Sequence, residues 1–391
     1  MRNFLDEAQT LFEYTRELRR DFHKHPEIGF KEIRTANIVA KELTNLGMEV
    51  KTGVGQTGVV ALLEGKMPGP VVLVRFDMDA LPIQEETGAE YASLSNGVMH
   101  ACGHDGHIAI GLTVARILYN HRNEFNGTVK LVFQPAEEGL GGAERMIADG
   151  ILENPHPDVA LGLHVWNEKP VGWIGIVSGP VMAAADIFTV RIIGKGGHGA
   201  VPNFCNDPLL AASQVVNNLQ VIVSRNVSPL KTAVVTVASI HGGEAFNVIP
   251  SEVEMKGTIR SFEPEVRDLV IRRFQQIVEN VSHALECESV IEIKSITPAV
   301  VNNPEITTRV QQVAGGMLPN DQLDINTVTM GSEDMAFVLQ QIPGCYFFIG
   351  SANIEKNLVA SHHHPKFDFD ESILPKAAGL MAASAIEFLE K

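Results

Sequence analysis

Short, apolar, β-rich runs alternate with helix-like segments through the first half of the chain, and this alternation restricts the fold more than any other feature. Helix-like segments such as 108–119 and 143–148 separate the runs. Strands that alternate with helices are typical of an α/β domain with a mostly parallel sheet. The runs that carry this prediction are 59–63, 71–74, 129–133 and 159–163.

The order of predicted elements changes near residue 185. A βαββαβ order follows, which is typical of a ferredoxin-like unit. The α/β character returns after Pro298, with a β-rich run at 345–349 and a final helix over 377–389. We therefore predict an α/β domain formed by residues 1–184 and 298–391, interrupted by a ferredoxin-like domain of residues 185–297.

Charge, cysteine content and hydropathy exclude several classes of protein. The chain has 31 Lys and Arg against 47 Asp and Glu, a net charge of −16, so we expect no nucleic-acid partner. The four cysteines are far apart in the sequence, which is typical of a reducing compartment. We find neither a secretory signal nor a run of 18 apolar residues, so we expect a cytoplasmic protein that does not contact a membrane.

The segment HACGHDGH, residues 100–107, is the densest group of potential metal ligands. Cys102 and His104 are two positions apart with a glycine between them, so both side chains can turn toward one ion. Thiolate and imidazole favour Zn²⁺ or a neighbouring transition ion over Mg²⁺ or Ca²⁺. The alternative is a glycine-rich loop whose histidines are incidental.

Adjacent carboxylates follow the run at 129–133, in the segment QPAEEG. Neighbouring side chains point apart in an extended backbone, so one carboxylate could bind a metal while the other acts as a general base. The alternative for Glu137 and Glu138 is a solvated surface pair. His164, after the run at 159–163, and the triple histidine before Pro365 supply further nitrogen ligands, although each could also be structural.

Taken together, the motifs give a specific resemblance. HACGHDGH, QPAEEG, LGLHVW, GKGGHGAVP, GSEDMAF and HHHPKFDFDE occur in the order found in the aminoacylase and hippurate hydrolase branch of the co-catalytic metallopeptidases, which also contains auxin-conjugate hydrolases. The resemblance runs nearly end to end. It implies metal-dependent hydrolysis of the amide bond of N-acyl amino acids, of N-acetyl or N-benzoyl type, to a carboxylic acid and a free amino acid.

The same resemblance implies a site with two divalent metal ions, Zn or Mn first, with Co or Ni also open. Glu137 corresponds to the general base. His363 is chosen from the triple histidine because the family's ligand stands two residues before the proline. The implied ligands are Cys102, His104, Glu138, His164 and His363.

The inserted domain resembles the family's lid or dimerisation domain. His198 and Asn247 correspond to residues near the scissile carbonyl, and Arg260 to one that holds the substrate carboxylate. In relatives the histidine matching His198 reaches the other subunit's site, so a homodimer is implied. From the residues alone, His198 could be part of a flexible turn and Arg260 an ordinary strand residue.

Arg75 stands where the wider superfamily has a ligand histidine. Because a guanidinium has no lone pair to offer a metal, Cys102 must supply the missing ligand if the site holds two ions. We expect Asp77 to orient a ligand. Glu333 and Asp334, in GSEDMAF, belong either to the site or to a helix N-terminus as capping groups.

Two alternatives to N-acyl amino acid hydrolysis remain open. A dipeptidase or carboxypeptidase could use the same scaffold, because those enzymes differ mainly in the pocket for the acyl group. A protein that binds a metal or an acyl amino acid without catalysis would show ligand binding but no turnover.

Overall fold

The computed structural model describes residues 4–319 and 322–389. Its helices are α1 Phe4–Thr10, α2 Phe12–Lys24, α3 Ile33–Asn45, α4 His104–Asn120, α5 Gly142–Ala148, α6 Pro208–Val221, α7 Pro264–Ala284, α8 Pro304–Met317, α9 Met335–Leu339 and α10 Leu374–Leu389. Its strands are β1 Glu49–Val54, β2 Gly58–Glu64, β3 Val71–Asp77, β4 Thr128–Gln134, β5 Val159–Pro170, β6 Ile174–Gly175, β7 Gly179–Met182, β8 Ala184–Ile193, β9 Gly197–His198, β10 Ala233–His241, β11 Val248–Ile249, β12 Glu252–Ser261, β13 Glu288–Thr297, β14 Val300–Asn302, β15 Leu323–Asp324 and β16 Gly344–Ala352.

The chain divides into two compact units. The first comprises Met1–Val181, Val300–Val328 and Glu333–Lys391, and the second comprises Met182–Ala299 and Thr329–Ser332. The return of 329–332 to the second unit is a feature that the sequence pattern does not indicate.

An eight-stranded sheet forms the centre of the first unit, in the order β1-β2-β4-β3-β5-β16-β6-β15. The central neighbours β4, β3, β5 and β16 run parallel, while β1 and β2 add an antiparallel edge. The prediction of a mostly parallel α/β sheet is confirmed. Every residue of β3 is buried, as expected for a parallel strand covered on both faces.

The last helix, α10, is almost entirely core. It packs against α1, α4 and α8. By length and composition alone, the segment Glu371–Leu389, with a mean hydropathy of 1.3, could cross a membrane, but 83% of its most apolar 18 residues are buried within the structure. Lys376 and Glu387 interrupt the segment, so it is not a run of 18 apolar residues, and packing in the core accounts for its composition.

The second unit has a four-stranded antiparallel sheet in the order β10-β12-β8-β13. Together with α6 and α7 this gives the predicted βαββαβ ferredoxin-like arrangement. Alternate residues of β8 lie in the core against the helices, including Phe188, Val190 and Ile192, while Ile187 and Arg191 are exposed. The core of this unit is built from Phe188, Val190, Ile192, Val215, Leu219, Val270 and Phe274.

Candidate metal centre

The predicted ligands of the first unit meet at the carboxyl ends of neighbouring parallel strands. Glu137 and Glu138 follow β4, His164 lies in β5, and His104 is the first residue of α4. Because β4, β3 and β5 are adjacent and parallel, the segments that follow them converge on one edge of the sheet. This is why motifs far apart in sequence can share a site.

The five predicted ligands form one cluster. Potential ligand atoms of Cys102, His104 and His164 all lie within 4.8 Å of one another, as do those of Cys102, Glu138 and His363. A third such group contains His104, Glu137 and Glu138. Cys102 Sγ is 3.5 Å from His164 Nε2, and His363 Nε2 is 3.2 Å from Glu138 Oε1.

Gly103 allows its two neighbours to face the cluster. Its φ of 89° is in the left-handed region, and it precedes the first turn of α4. A Cβ at this position would lie 2.4 Å from Val165 Cγ2. Only glycine fits both the backbone conformation and the available space, so the glycine between Cys102 and His104 is a structural requirement.

Hydrogen bonds leave the Nε2 atoms of His104 and His164 facing the cluster. His104 Nδ1 lies 2.9 Å from the carbonyl oxygen of Asp79, and His164 Nδ1 lies 2.5 Å from that of Val165. Because a carbonyl oxygen only accepts, each Nδ1 carries the proton. Among the described residues, His104 Nε2 is buried and has no hydrogen-bond partner, as expected of an atom that a metal ion would bind.

Two other histidines are held in a form that does not bind metal. The backbone N–H of Val165 donates to His107 Nε2 at 2.9 Å, and that of Asn167 donates to His362 Nε2 at 3.1 Å. A neutral imidazole that accepts at Nε2 must carry its proton on Nδ1. Neither ring therefore has a lone pair left for an ion.

This geometry separates the three consecutive histidines. His364 is exposed, and its Nδ1 accepts a hydrogen bond from the N–H of Lys366. His362 is engaged by Asn167, so the side chain that faces Glu138 belongs to His363. The geometry favours the same histidine that counting back from Pro365 selects.

The charges of the cluster favour a bound cation. Burial opposes a positive charge on His104, but the carboxylates of Asp77, Asp79 and Glu138 outweigh it and raise the pKa of His104 to about 10. Burial, Glu138 and Glu137 raise the pKa of the Cys102 thiol well above its usual range. Its thiolate form therefore requires nearby positive charge, which a divalent ion provides. The donor set of sulfur, imidazole and carboxylate fits ions such as Zn²⁺.

The structure modifies the expected role of Asp77. Its Oδ1 lies 2.5 Å from Nδ1 of His107 but 3.8 Å from Nδ1 of His104. The predicted ligand His104 is instead oriented by Asp79, through the backbone carbonyl at 2.9 Å and Oδ1 at 3.3 Å. Asp77 thus holds His107, and Asp79, to which the sequence analysis assigned no role, holds His104.

Arg75 is buried and forms ion pairs with three carboxylates. Its guanidinium lies 2.7 Å from Asp77, 2.8 Å from Glu333 and 3.0 Å from Asp334. Arg75 therefore organises acidic groups, and its guanidinium has no lone pair with which to bind an ion. No sequence signal identifies this pairing, because Arg75 and the Glu333–Asp334 pair are far apart along the chain.

Glu333 and Asp334 both lie beside Glu137 and also accept hydrogen bonds from backbone N–H groups at helix starts. Glu333 accepts hydrogen bonds from the hydroxyl of Tyr346 at 2.5 Å and from the N–H of Met335 at 2.9 Å. The Asp334 side chain caps α5, not the helix that follows it in sequence, by accepting from the N–H of Ala143 at 2.9 Å. Gly141 precedes α5 and has no side chain for this purpose.

Glu137 is buried beside the cluster of predicted ligands. It is 9% exposed, and its Oε1 accepts the N–H of Asp334 at 3.4 Å. Burial, followed by the nearby carboxylates of Glu333 and Glu138, raises the pKa of Glu137 well above its usual range. A carboxylate with raised proton affinity beside a metal-ligand cluster is suited to general-base chemistry.

The other predicted site residues belong to the second unit. His198 is exposed in β9 and pairs with Val248 of β11, and the N–H of Gly199 donates to the carbonyl of Asn247 at 2.8 Å. His198 and Asn247 are therefore close together. Arg260 lies in β12, where partial burial lowers the pKa of its guanidinium.

Comparisons with known proteins agree with these observations. The family described as Peptidase family M20/M25/M40 matches residues 73–387. An N-acetyl-L-cysteine deacetylase of Bacillus subtilis is 40% identical, with 95% of this chain and 88% of the relative covered. The IAA-amino acid hydrolase ILR1-like 4 of Arabidopsis thaliana is 39% identical, with 98% and 88% covered.

A peptidase is also among the similar proteins. Thermostable carboxypeptidase 1 of Saccharolobus solfataricus is 38% identical, with 96% of this chain and 95% of the relative covered. Among solved structures, the Bacillus subtilis YXEP protein, described as a dinuclear metal binding peptidase from the M20 family, has a TM-score of 0.84 and 32% identity, with 97% and 99% covered.

Proposed function

The chain belongs to peptidase family M20/M25/M40 and is a metal-dependent amidohydrolase, and we propose that its substrates are N-acyl amino acids of N-acetyl or N-benzoyl type. The products are a carboxylic acid and a free amino acid. One observation supports the proposal above all others: buried Glu137 lies beside the ligand cluster, where its neighbour Glu138 faces His363. The names of two relatives specify N-acetyl-L-cysteine and IAA-amino acids as substrates.

The five-residue cluster would hold two divalent ions, as the name of the similar YXEP protein also suggests. We propose Zn or Mn, with Co or Ni as alternatives, because a thiolate and imidazoles suit these ions better than Mg²⁺ or Ca²⁺. When bound, the ions would supply an activated water and polarisation of the amide carbonyl. The proposed ligands are Cys102, His104, Glu138, His164 and His363.

The proton transfers of the reaction are assigned to Glu137. Glu137 accepts a proton from the attacking water and returns it to the departing amine. The N–H of Asp334 holds one oxygen of that carboxylate. No covalent enzyme intermediate is required, because water is the nucleophile.

Residues of the second unit are proposed to contact the substrate. His198 Nδ1 accepts the N–H of Ala200 at 3.1 Å, so a neutral His198 carries its proton on Nε2 and can donate it to a developing oxyanion. The guanidinium of Arg260 offers a planar pair of donors for the substrate carboxylate. Asn247 is proposed to bind near the scissile carbonyl.

A substrate and metal test separates the proposed activity from its alternatives. We expect faster turnover of hippurate and N-acetyl amino acids than of dipeptides, loss of turnover after chelation, and recovery when divalent ions are restored. A clear preference for dipeptides would replace the proposal with a dipeptidase or carboxypeptidase, a choice that the similarity to a carboxypeptidase makes worth testing. Binding of N-acyl amino acids without turnover would indicate a binding protein.

We also propose a homodimer that works in the cytoplasm, where the four free cysteines stay reduced. Around the β9–β11 pair that carries His198, the apolar side chains of Phe204, Phe246 and Val248 are exposed. Strand β10 forms an open edge of its sheet. Exposed apolar groups and open edges are typical of interfaces.

Light scattering of the purified protein checks the oligomeric state. We expect a mass twice the 42.5 kDa of one chain, and Phe246→Asp should shift the protein toward the mass of one chain. A single-chain mass for the wild-type protein at micromolar concentration would contradict the dimer.

A further inference from the structure

The proposed mechanism gives His362 no role, although its hydrogen bonds determine which ring nitrogen carries the proton. Its Nε2 accepts the N–H of Asn167 at 3.1 Å, so the proton of the neutral ring is on Nδ1. The Asn167 side chain is itself fixed, because its Nδ2 donates to the carbonyls of Ala360 at 2.7 Å and Asp368 at 3.0 Å. The donor that sets the form of the His362 ring is therefore rigid.

Three neighbouring rings fix the orientation of the imidazole. Trp166 and Phe367 lie 5.1 Å and 5.0 Å from the His362 ring, at interplanar angles of 35° and 36°. The ring of His164 meets it edge-on at 5.2 Å and 82°. This packing directs His362 Nδ1 toward Cys102 Sγ, 3.8 Å away.

We propose that His362 is a positioning residue whose Nδ1–H donates a hydrogen bond to the Cys102 thiolate. The inference rests on the proposed function, in which Cys102 is a metal ligand. Such a hydrogen bond fixes the direction of the sulfur lone pairs and draws electron density from the sulfur. Partners of this kind orient the ligands of metal sites and tune the ion that they hold. His362 and His363 would thus serve the same centre in different ways, one through sulfur and the other as a ligand.

Substitutions at position 362 can separate the two functions of the ring, the Nδ1–H donor toward Cys102 and the Nε2 acceptor for Asn167. The amide nitrogen of Asn reaches approximately the place of Nδ1, whereas the end of Gln reaches that of Nε2. His362→Asn therefore retains a donor to the sulfur. His362→Gln retains only an acceptor for the N–H of Asn167. His362→Phe keeps the ring between Trp166 and Phe367 but has no donor. His364→Gln, at an exposed neighbouring position, is the matched control.

The readouts are the absorption spectrum of the Co²⁺-loaded protein and its dissociation constant for Co²⁺. Without the hydrogen bond the sulfur is a stronger electron donor, so we expect the thiolate-to-Co²⁺ charge-transfer band to move to longer wavelength in His362→Gln and His362→Phe. The sulfur is then also no longer held in its orientation, and we expect this loss to outweigh its stronger donation. The dissociation constant should therefore rise about tenfold in both variants and stay within about threefold of wild type in His362→Asn and His364→Gln.

Cys102→Ser distinguishes the two ways in which the idea can fail. If the wild-type protein has no band that Cys102→Ser removes, the proposed metal centre is wrong and the inference fails with it. If that band is present but His362→Gln and His362→Phe leave its position and the Co²⁺ affinity unchanged, only the role of His362 is overturned. An equal shift in His362→Asn would also overturn it, because that variant retains a donor.

Discussion

Glu137→Gln should lower kcat by roughly 10²–10⁴-fold while the protein still binds two divalent ions per chain. The amide has nearly the same shape as the carboxylate but cannot take a proton from water. Because Glu137 lies beside the proposed ligands without being one, metal content should not change. Steady-state kinetics on an N-acetyl amino acid, combined with elemental analysis of the same samples, measures both effects.

Glu90→Gln is the matched control, because Glu90 is an exposed carboxylate of the first unit. It should retain both kcat and metal content. Two results would reject the proposed role of Glu137. Turnover close to that of wild type would show that another group accepts the proton, and loss of an ion from the Glu137 variant would show that Glu137 is a ligand.

Arg75→Met should destabilise the protein by about 3–5 kcal/mol, the cost of removing one partner from a buried group of charges. The change leaves Asp77, Glu333 and Asp334 without the guanidinium with which they form ion pairs, and all three are almost completely buried. Denaturant unfolding, followed by a probe of the first unit, measures the loss.

Arg145→Met provides the comparison, because Arg145 is exposed and such surface changes usually alter stability by at most about 0.5 kcal/mol. Equal unfolding midpoints for the two variants would mean that the three buried carboxylates do not need Arg75 for the stability of the protein. Arg75→Lys should recover only part of the stability, because an ammonium group cannot reproduce the fixed geometry of several guanidinium donors.

Much of the fold could be predicted because its signals are local. The apolar runs at 129–133 and 159–163 fall within β4 and β5, and the inserted βαββαβ order matches β8 to β13. The antiparallel edge strand β1 was missed because its residues are mostly exposed and it lacks a continuous apolar pattern. The final helix predicted over 377–389 falls within α10.

The candidate residues could also be predicted, because each lies in a short motif. Parallel strands bring the segments that follow them to one edge of the sheet, so the motifs at the ends of predicted strands were expected to meet there. The sequence cannot state the hydrogen-bond partners of each side chain. Nothing in HHHP shows that the backbone N–H of Asn167 donates a hydrogen bond to His362, or that His363 lies beside Glu138.

The sequence by itself thus determined the order of the elements, the motifs and their places at strand ends, because these depend on residues close together in the chain. Only the tertiary structure decided that Asp79 orients His104, that Asp77 holds His107, and that Arg75 forms ion pairs with two acids from the distant GSEDMAF segment. The physical reason is that a buried polar group must find a partner. That partner is whichever group the fold brings within about 3 Å, however far away it lies in the sequence.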